Sequence, residues 1–181
     1  MGNTHEGYGW VSILLHWVTA FVIFGLFGLG VYMVDLSYYD PWYHDGPAIH
    51  KSIGMLLILG MFIRLLWRWF NPRPEPLPSL STFEKITSEW VHRLLYLIIV
   101  IVLIAGYLIP TAEGHGVDVF GWFEVPAVFP VVENMADYAG EVHELLAWAL
   151  VVLAGIHTLA AFKHHLMDKD KTLVRILRPG K

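Results

Sequence analysis

The chain has 181 residues, a formal net charge of −4, 56% apolar and 15% charged residues, and a mean hydropathy of +0.53. Globular domains carry about 25% charged residues, so this composition excludes a disordered chain and argues against a groove-reading nucleic-acid binder. The chain has no cysteine, which excludes disulfides, thiolate zinc sites, iron–sulfur clusters and covalent c-type haem attachment.

Four apolar stretches, at about 11–34, 49–70, 90–109 and 142–162, are long enough to cross a bilayer, which takes about 20 residues. The first is not a cleavable signal peptide, since no lysine or arginine precedes it and its apolar run is too long. Residues 71–82 contain four prolines and predict a stiff, extended loop. Residues 110–141, rich in glycine, proline and aromatics, are expected to cap the outer surface with a short interfacial helix. No strand-like alternation recurs, and backbone groups in lipid must be satisfied within helices. The predicted fold class is therefore all-α: an integral membrane four-helix up-down bundle forming one domain over 1–181.

Eleven of the twelve basic residues follow the second and fourth spans or open the third; Lys51 is the exception. The positive-inside rule predicts that this basic side is cytoplasmic, with both termini inside. Acids such as Asp35, Asp40, Glu113 and Asp118 fall in the outer loops.

Ten histidines are many for so apolar a chain. Ionisable groups inside a membrane are costly and point to function. His50 and His143 lie at the outer ends of the second and fourth spans; His16 and His157 lie at the inner level of the first and fourth. His143 and His157 are fourteen residues apart, so they share a helix face about 21 Å apart. Two imidazole pairs at two depths match the needs of two bis-His b-type haems, in which both axial positions of the iron are closed. Gly54 and Gly155, close to His50 and His157, and Gly25, Gly28 and Gly30 in the first span let a flat macrocycle or a second helix approach. For the first span the expectation is ordinary helix packing, and its spacing permits a homodimer. Arg64, fourteen residues after His50, and Arg68 one turn further are candidate partners for haem propionates; the alternative for both is interfacial snorkelling. His92 has no depth-matched partner, which leaves it as a propionate partner, a pocket-lining residue or a packed core histidine.

The segments Leu14-Leu-His-Trp, Ile49-His-Lys-Ser-Ile-Gly, Arg64-Leu-Leu-Trp-Arg, Val142-His-Glu, Gly155-Ile-His, His164-His and Lys171-Thr-Leu, in this order and spacing, resemble the bacterial cytochrome b-561 proteins over nearly the whole chain. The resemblance implies a four-helix dihaem membrane cytochrome of the bacterial inner membrane, with His16, His50, His143 and His157 as iron ligands. It also implies electron exchange between periplasmic donors and membrane quinone, and one similar class looks like superoxide oxidases that reduce ubiquinone. The resemblance places a quinone site at His164 with Ser79. An anionic donor such as superoxide would be steered by positive potential, and Lys51 beside His50 is the outer cation available for it. The acidic outer loops suit instead a basic soluble donor such as a small c-type cytochrome. Two other readings remain. One is a haem-bearing membrane anchor of a hydrogenase- or formate-dehydrogenase-type complex. The other is a His-lined metal or proton transporter, which the lack of broken helices and intramembrane carboxylates disfavours.

Overall fold

The computed structural model describes residues 2–180. It is mostly helical, with α1 at Trp10–Val34, α2 at Asp45–Phe70, α3 at Thr82–Thr111, α4 at Met135–Leu166 and a short α5 at Val174–Leu177. The first four are long and apolar enough to cross a membrane. Their surfaces carry exposed large apolar side chains, among them Phe21, Leu145 and Leu159, as expected where lipid rather than water is the solvent. The all-α reading therefore holds, and each helix covers the stretch expected for it.

Every helix but the first is markedly longer than its apolar run. α3 begins at Thr82 because Ser81 and Glu84 form a capping box. The Ser81 amide and hydroxyl donate to Glu84 Oε2 at 3.0 and 2.8 Å, and the Glu84 amide donates back to Ser81 Oγ at 3.3 Å.

The expected interfacial helix in the cap is absent. The cap instead holds a hairpin of β1 (Val117–Val119) and β2 (Phe123–Val125), antiparallel with Val117 opposite Val125 and Val119 opposite Phe123. Its tight loop puts Phe120 and Gly121 at φ of 54° and 70°. Gly121 suits that region; Phe120 does not. The Phe120 amide donates to Ser52 Oγ at 3.1 Å and the Gly121 amide to Asp118 Oδ2 at 2.9 Å, which holds the turn closed. The alternating β1 residues Val117 and Val119 are buried against Met55 and Tyr107. A three-residue strand of this kind leaves too short a period to be seen in an aromatic-rich loop.

The chain clusters into two compact units, and each of the four long helices contributes to both. The first comprises Met1–Ala20, Gly60–Leu97 and Val152–Lys181 and holds the chain ends. There, Asn3 Oδ1 accepts from the Gly9 amide and from Ser12 Oγ, which in turn accepts from Trp67 Nε1. Asn3 Nδ2 donates to the Pro72 carbonyl. Arg175 donates to the carbonyls of Glu6 and Glu75, and Trp17 Nε1 donates to Ile176 O at 2.9 Å. The proline loop is thus tied through its backbone to both ends of the chain.

The second unit comprises Phe21–Leu59 and Ile98–Val151 and holds the hairpin. Tyr107 anchors the loop after β2: its hydroxyl donates to Pro126 O at 2.6 Å and accepts from the Val128 amide at 2.9 Å. Tyr107→Phe removes both bonds and is expected to cost about 1–2 kcal/mol. Thermal unfolding of the purified protein should show a lowered midpoint, with faster proteolysis in residues 126–134.

Candidate haem-binding sites

The hairpin unit brings His50 and His143 together, with ring centroids 6.1 Å apart at an interplanar angle of 73°. Two imidazoles that share one metal, each nitrogen about 2 Å from it, place their centroids about 6 Å apart. His143 Nδ1 donates to the Val102 carbonyl at 2.9 Å. That bond fixes the tautomer and leaves Nε2 with a free lone pair, the arrangement usual for a metal-ligating histidine. His50 Nδ1 is buried and makes no hydrogen bond of ordinary geometry, although the Leu26 backbone interacts with the ring.

Two glycines make room for these rings. A Cβ on Gly30 would sit 3.3 Å from His50 Cε1, and one on Gly106 would sit 2.8 Å from His143 Cε1 and 2.9 Å from its Nδ1. Gly30 therefore clears a histidine, where ordinary helix packing was expected of the first span. Gly25, Gly28, Gly54 and Gly155 have no neighbour within 4 Å of a built Cβ. Gly106 was not anticipated from sequence, because α3 offered no ligand to mark its face.

The unit with the chain ends gathers His16, His92 and His157. His92 is in ring contact with His157, centroids 5.0 Å apart, and its Nδ1 donates to the Ser88 carbonyl at 2.7 Å. The expectation that His92 has no partner does not hold, because α3 starts earlier than its apolar run. His92 lies ten residues after Thr82 and His157 nine before Leu166, so each is about 14–15 Å from its helix end. His16 accepts at Nδ1 from the Arg64 guanidinium at 3.2 Å, which places its own proton on Nε2. Arg64 also donates to Tyr96 Oη at 3.1 Å. Arg64 and Arg68 both lie over the Tyr96 ring, 5.2 and 4.9 Å from its centroid.

The other candidates are placed as follows. His164 ends α4 with Nδ1 2.9 Å from Asp168 Oδ2 and 3.2 Å from Asp170 Oδ2. Burial alone would raise the Asp170 carboxyl, but the Thr172 amide and hydroxyl and the His164 ring outweigh it and hold it below the ordinary carboxylate value. Ser79 is exposed in the turn 77–80, and no hydrogen bond among the described residues joins it to His164. Lys51 lines a cleft of about 320 Å³ with Ser52, Asp118 and Phe120, next to His50 in sequence.

These donors fit an iron porphyrin in the hairpin unit on three counts: the ring spacing, the orphaned His50 nitrogen and the glycine clearances. In the other unit the donor set is right in kind, three neutral-capable imidazoles and a guanidinium suited to carboxylates.

Comparison with known proteins agrees with this chemistry. The sequence model of the prokaryotic cytochrome b561 family matches residues 7–179. Cytochrome b561 homolog 2 of Escherichia coli (strain K12) is 50% identical over 175 residues, 97% of this chain and 93% of that protein. The probable superoxide oxidase CybB of Yersinia pestis is 29% identical over 178 residues, covering 96% and 97%. Cytochrome b562 of Cereibacter sphaeroides is 25% identical over 178 residues, 96% of each chain.

Gly106→Ala is expected to push the His143 ring off the Val102 carbonyl and to lower bound haem, read as pyridine haemochrome per mole of protein.

Proposed function

Because the chain belongs to the prokaryotic cytochrome b561 family and is thus a membrane b-type cytochrome, we propose that it holds two b haems and passes electrons between a periplasmic donor and membrane quinone. In this reading the whole chain acts as one transmembrane unit of the bacterial inner membrane, with both termini cytoplasmic. The observation that carries it is the facing pair His50 and His143, one ring tied to a backbone carbonyl and the other carrying a buried nitrogen without a hydrogen bond. Bound haem supplies one-electron redox chemistry.

The chain's own residues do the rest. His50 and His143 hold one iron, and the Val102 carbonyl orients His143. Ligation by two imidazoles would suit electron transfer rather than oxygen binding. His16 and His157 hold the second iron. His16 would ligate through an unprotonated ring nitrogen, and Arg64, which here donates to His16 Nδ1, would suit a propionate carboxylate. Arg68 lines a separate cleft with Arg73 and Arg93 and is less suited to that role. His92 orients beside His157.

At the quinone, His164, whose ring lies beside the Asp168 and Asp170 carboxylates, is the proposed N–H donor to a carbonyl oxygen. Ser79 is the second proposed contact. The relative named a probable superoxide oxidase and the Lys51 cleft support superoxide as donor. The acidic outer loops support a second reading, a basic c-type cytochrome.

The test is a reduced-minus-oxidised spectrum and pyridine haemochrome assay on the detergent-purified protein. Two low-spin b haems per chain are expected, with one left in His50→Ala, one in His16→Ala and two in His92→Ala. A colourless protein that cannot take up haem sinks the reading. Loss of one haem in His92→Ala but none in His16→Ala would reassign the second pair to His92 and His157.

A further inference from the structure

The unit with the chain ends carries a second charged feature that electron transfer does not use. Arg68, Arg73 and Arg93 line an open cleft of about 300 Å³ with Leu65, Glu89 and Tyr96. The three arginines come from three elements: the last turn of α2, the proline loop and α3. Glu89 is the single carboxylate lining the cleft, and it is committed to Arg93 at 2.5 Å. Arg68 is stacked on Tyr96, and neither Arg68 nor Arg73 has an ion-pair partner among the described residues. The cleft therefore keeps about two uncompensated positive charges, and a cleft of one sign focuses its field on an incoming anion. The guanidinium fork matches the oxygens of a phosphate.

The surroundings say what kind of phosphate. Trp69 and Phe70, beside Arg68 at the end of α2, are 85% and 78% exposed, and Leu65, Leu66 and Trp90 are exposed as well. Apolar and tryptophan surface at the end of a membrane helix belongs against lipid. Leu65 is itself a lining residue, so an occupant of the cleft meets exposed apolar surface beside the guanidinium groups.

We propose that this cleft binds the phosphate of an anionic phospholipid, with Arg68 and Arg73 as its direct partners and Arg93, held by Glu89, completing the anion site. A zwitterionic headgroup would bring a cation to a cleft that is already positive, so the site selects headgroups such as phosphatidylglycerol. Basic recesses between membrane helices are suited to this chemistry.

The test uses the full-length haem-loaded protein, incubated with mixed phosphatidylglycerol and phosphatidylcholine vesicles, extracted in mild detergent and analysed by native mass spectrometry. Phosphatidylglycerol should be retained over phosphatidylcholine. Arg73→Gln, a change in an exposed loop, and Arg68→Gln should each lower that preference about fivefold. Arg178→Gln, the same charge loss on the C-terminal tail, should not. An unchanged haem spectrum shows that each variant is folded, and Arg73→Gln decides the matter if Arg68→Gln is not. Retention of phosphatidylglycerol in the presence of excess inorganic phosphate supports a lipid ligand; displacement to the phosphatidylcholine level assigns the site to free phosphate and overturns the lipid. Equal retention of the two lipids by the wild-type protein, or wild-type selectivity in Arg73→Gln, also overturns the proposal.

Discussion

An imidazole on a membrane-crossing helix loses its water, so each ring nitrogen must find a donor, an acceptor or a metal within the protein. Most of the functional architecture follows from meeting that demand. His143 uses the Val102 carbonyl, and His92 uses the Ser88 carbonyl, one turn back on its own helix. His16 takes a proton donor in Arg64. His50 Nδ1 and His164 Nδ1 are both buried without a hydrogen bond of ordinary geometry; the His50 ring faces that of His143, and His164 lies beside two carboxylates. A polar atom left in this state is costly unless something absent from the bare chain completes its surroundings.

Glycine sets how closely backbone and ring can approach. Gly30 and Gly106 come from different helices; a Cβ on Gly106 would collide with His143, and one on Gly30 would crowd His50. Their value lies in the missing Cβ rather than in unusual backbone angles. The hairpin serves the same unit from outside the lipid. It buries Val117 and Val119 against Met55 and Tyr107 and uses Ser52, two residues from His50, to hold its strained turn. The helix that carries one histidine is in this way fixed to the cap by a hydrogen bond and by apolar contact. At the chain ends, the side chains of Asn3 and Arg175 donate to backbone carbonyls of the proline loop.

How much of this was legible in the sequence depended on how local each signal was. Helix existence was legible because four apolar runs of bilayer length have few alternatives. Helix length was not, because hydropathy ends where the lipid does while a helix continues as long as its caps allow. The Ser81–Glu84 capping box could have moved the start of α3 eight residues earlier than Trp90, and with it the depth of His92. The facing of His50 and His143 was legible from depth counting along straight helices. The contact of His92 with His157 was hidden by the misplaced start of α3. Gly106 was hidden because nothing in α3 says which face meets α4.

The sequence alone determined the class of protein, since an apolar, cysteine-free chain with four runs of bilayer length has few physical solutions other than a membrane helix bundle. Apolar length, helical period and charge asymmetry are one-dimensional quantities and can be read directly. Tertiary structure decided which ring nitrogen of His16, His92 and His143 is engaged, which glycines stand behind the rings, that the cap is a hairpin, and that arginines from three elements share one cleft. Each of those depends on the rotation and approach of elements about one another. That is set by packing and hydrogen bonds made across the fold, which no local pattern records.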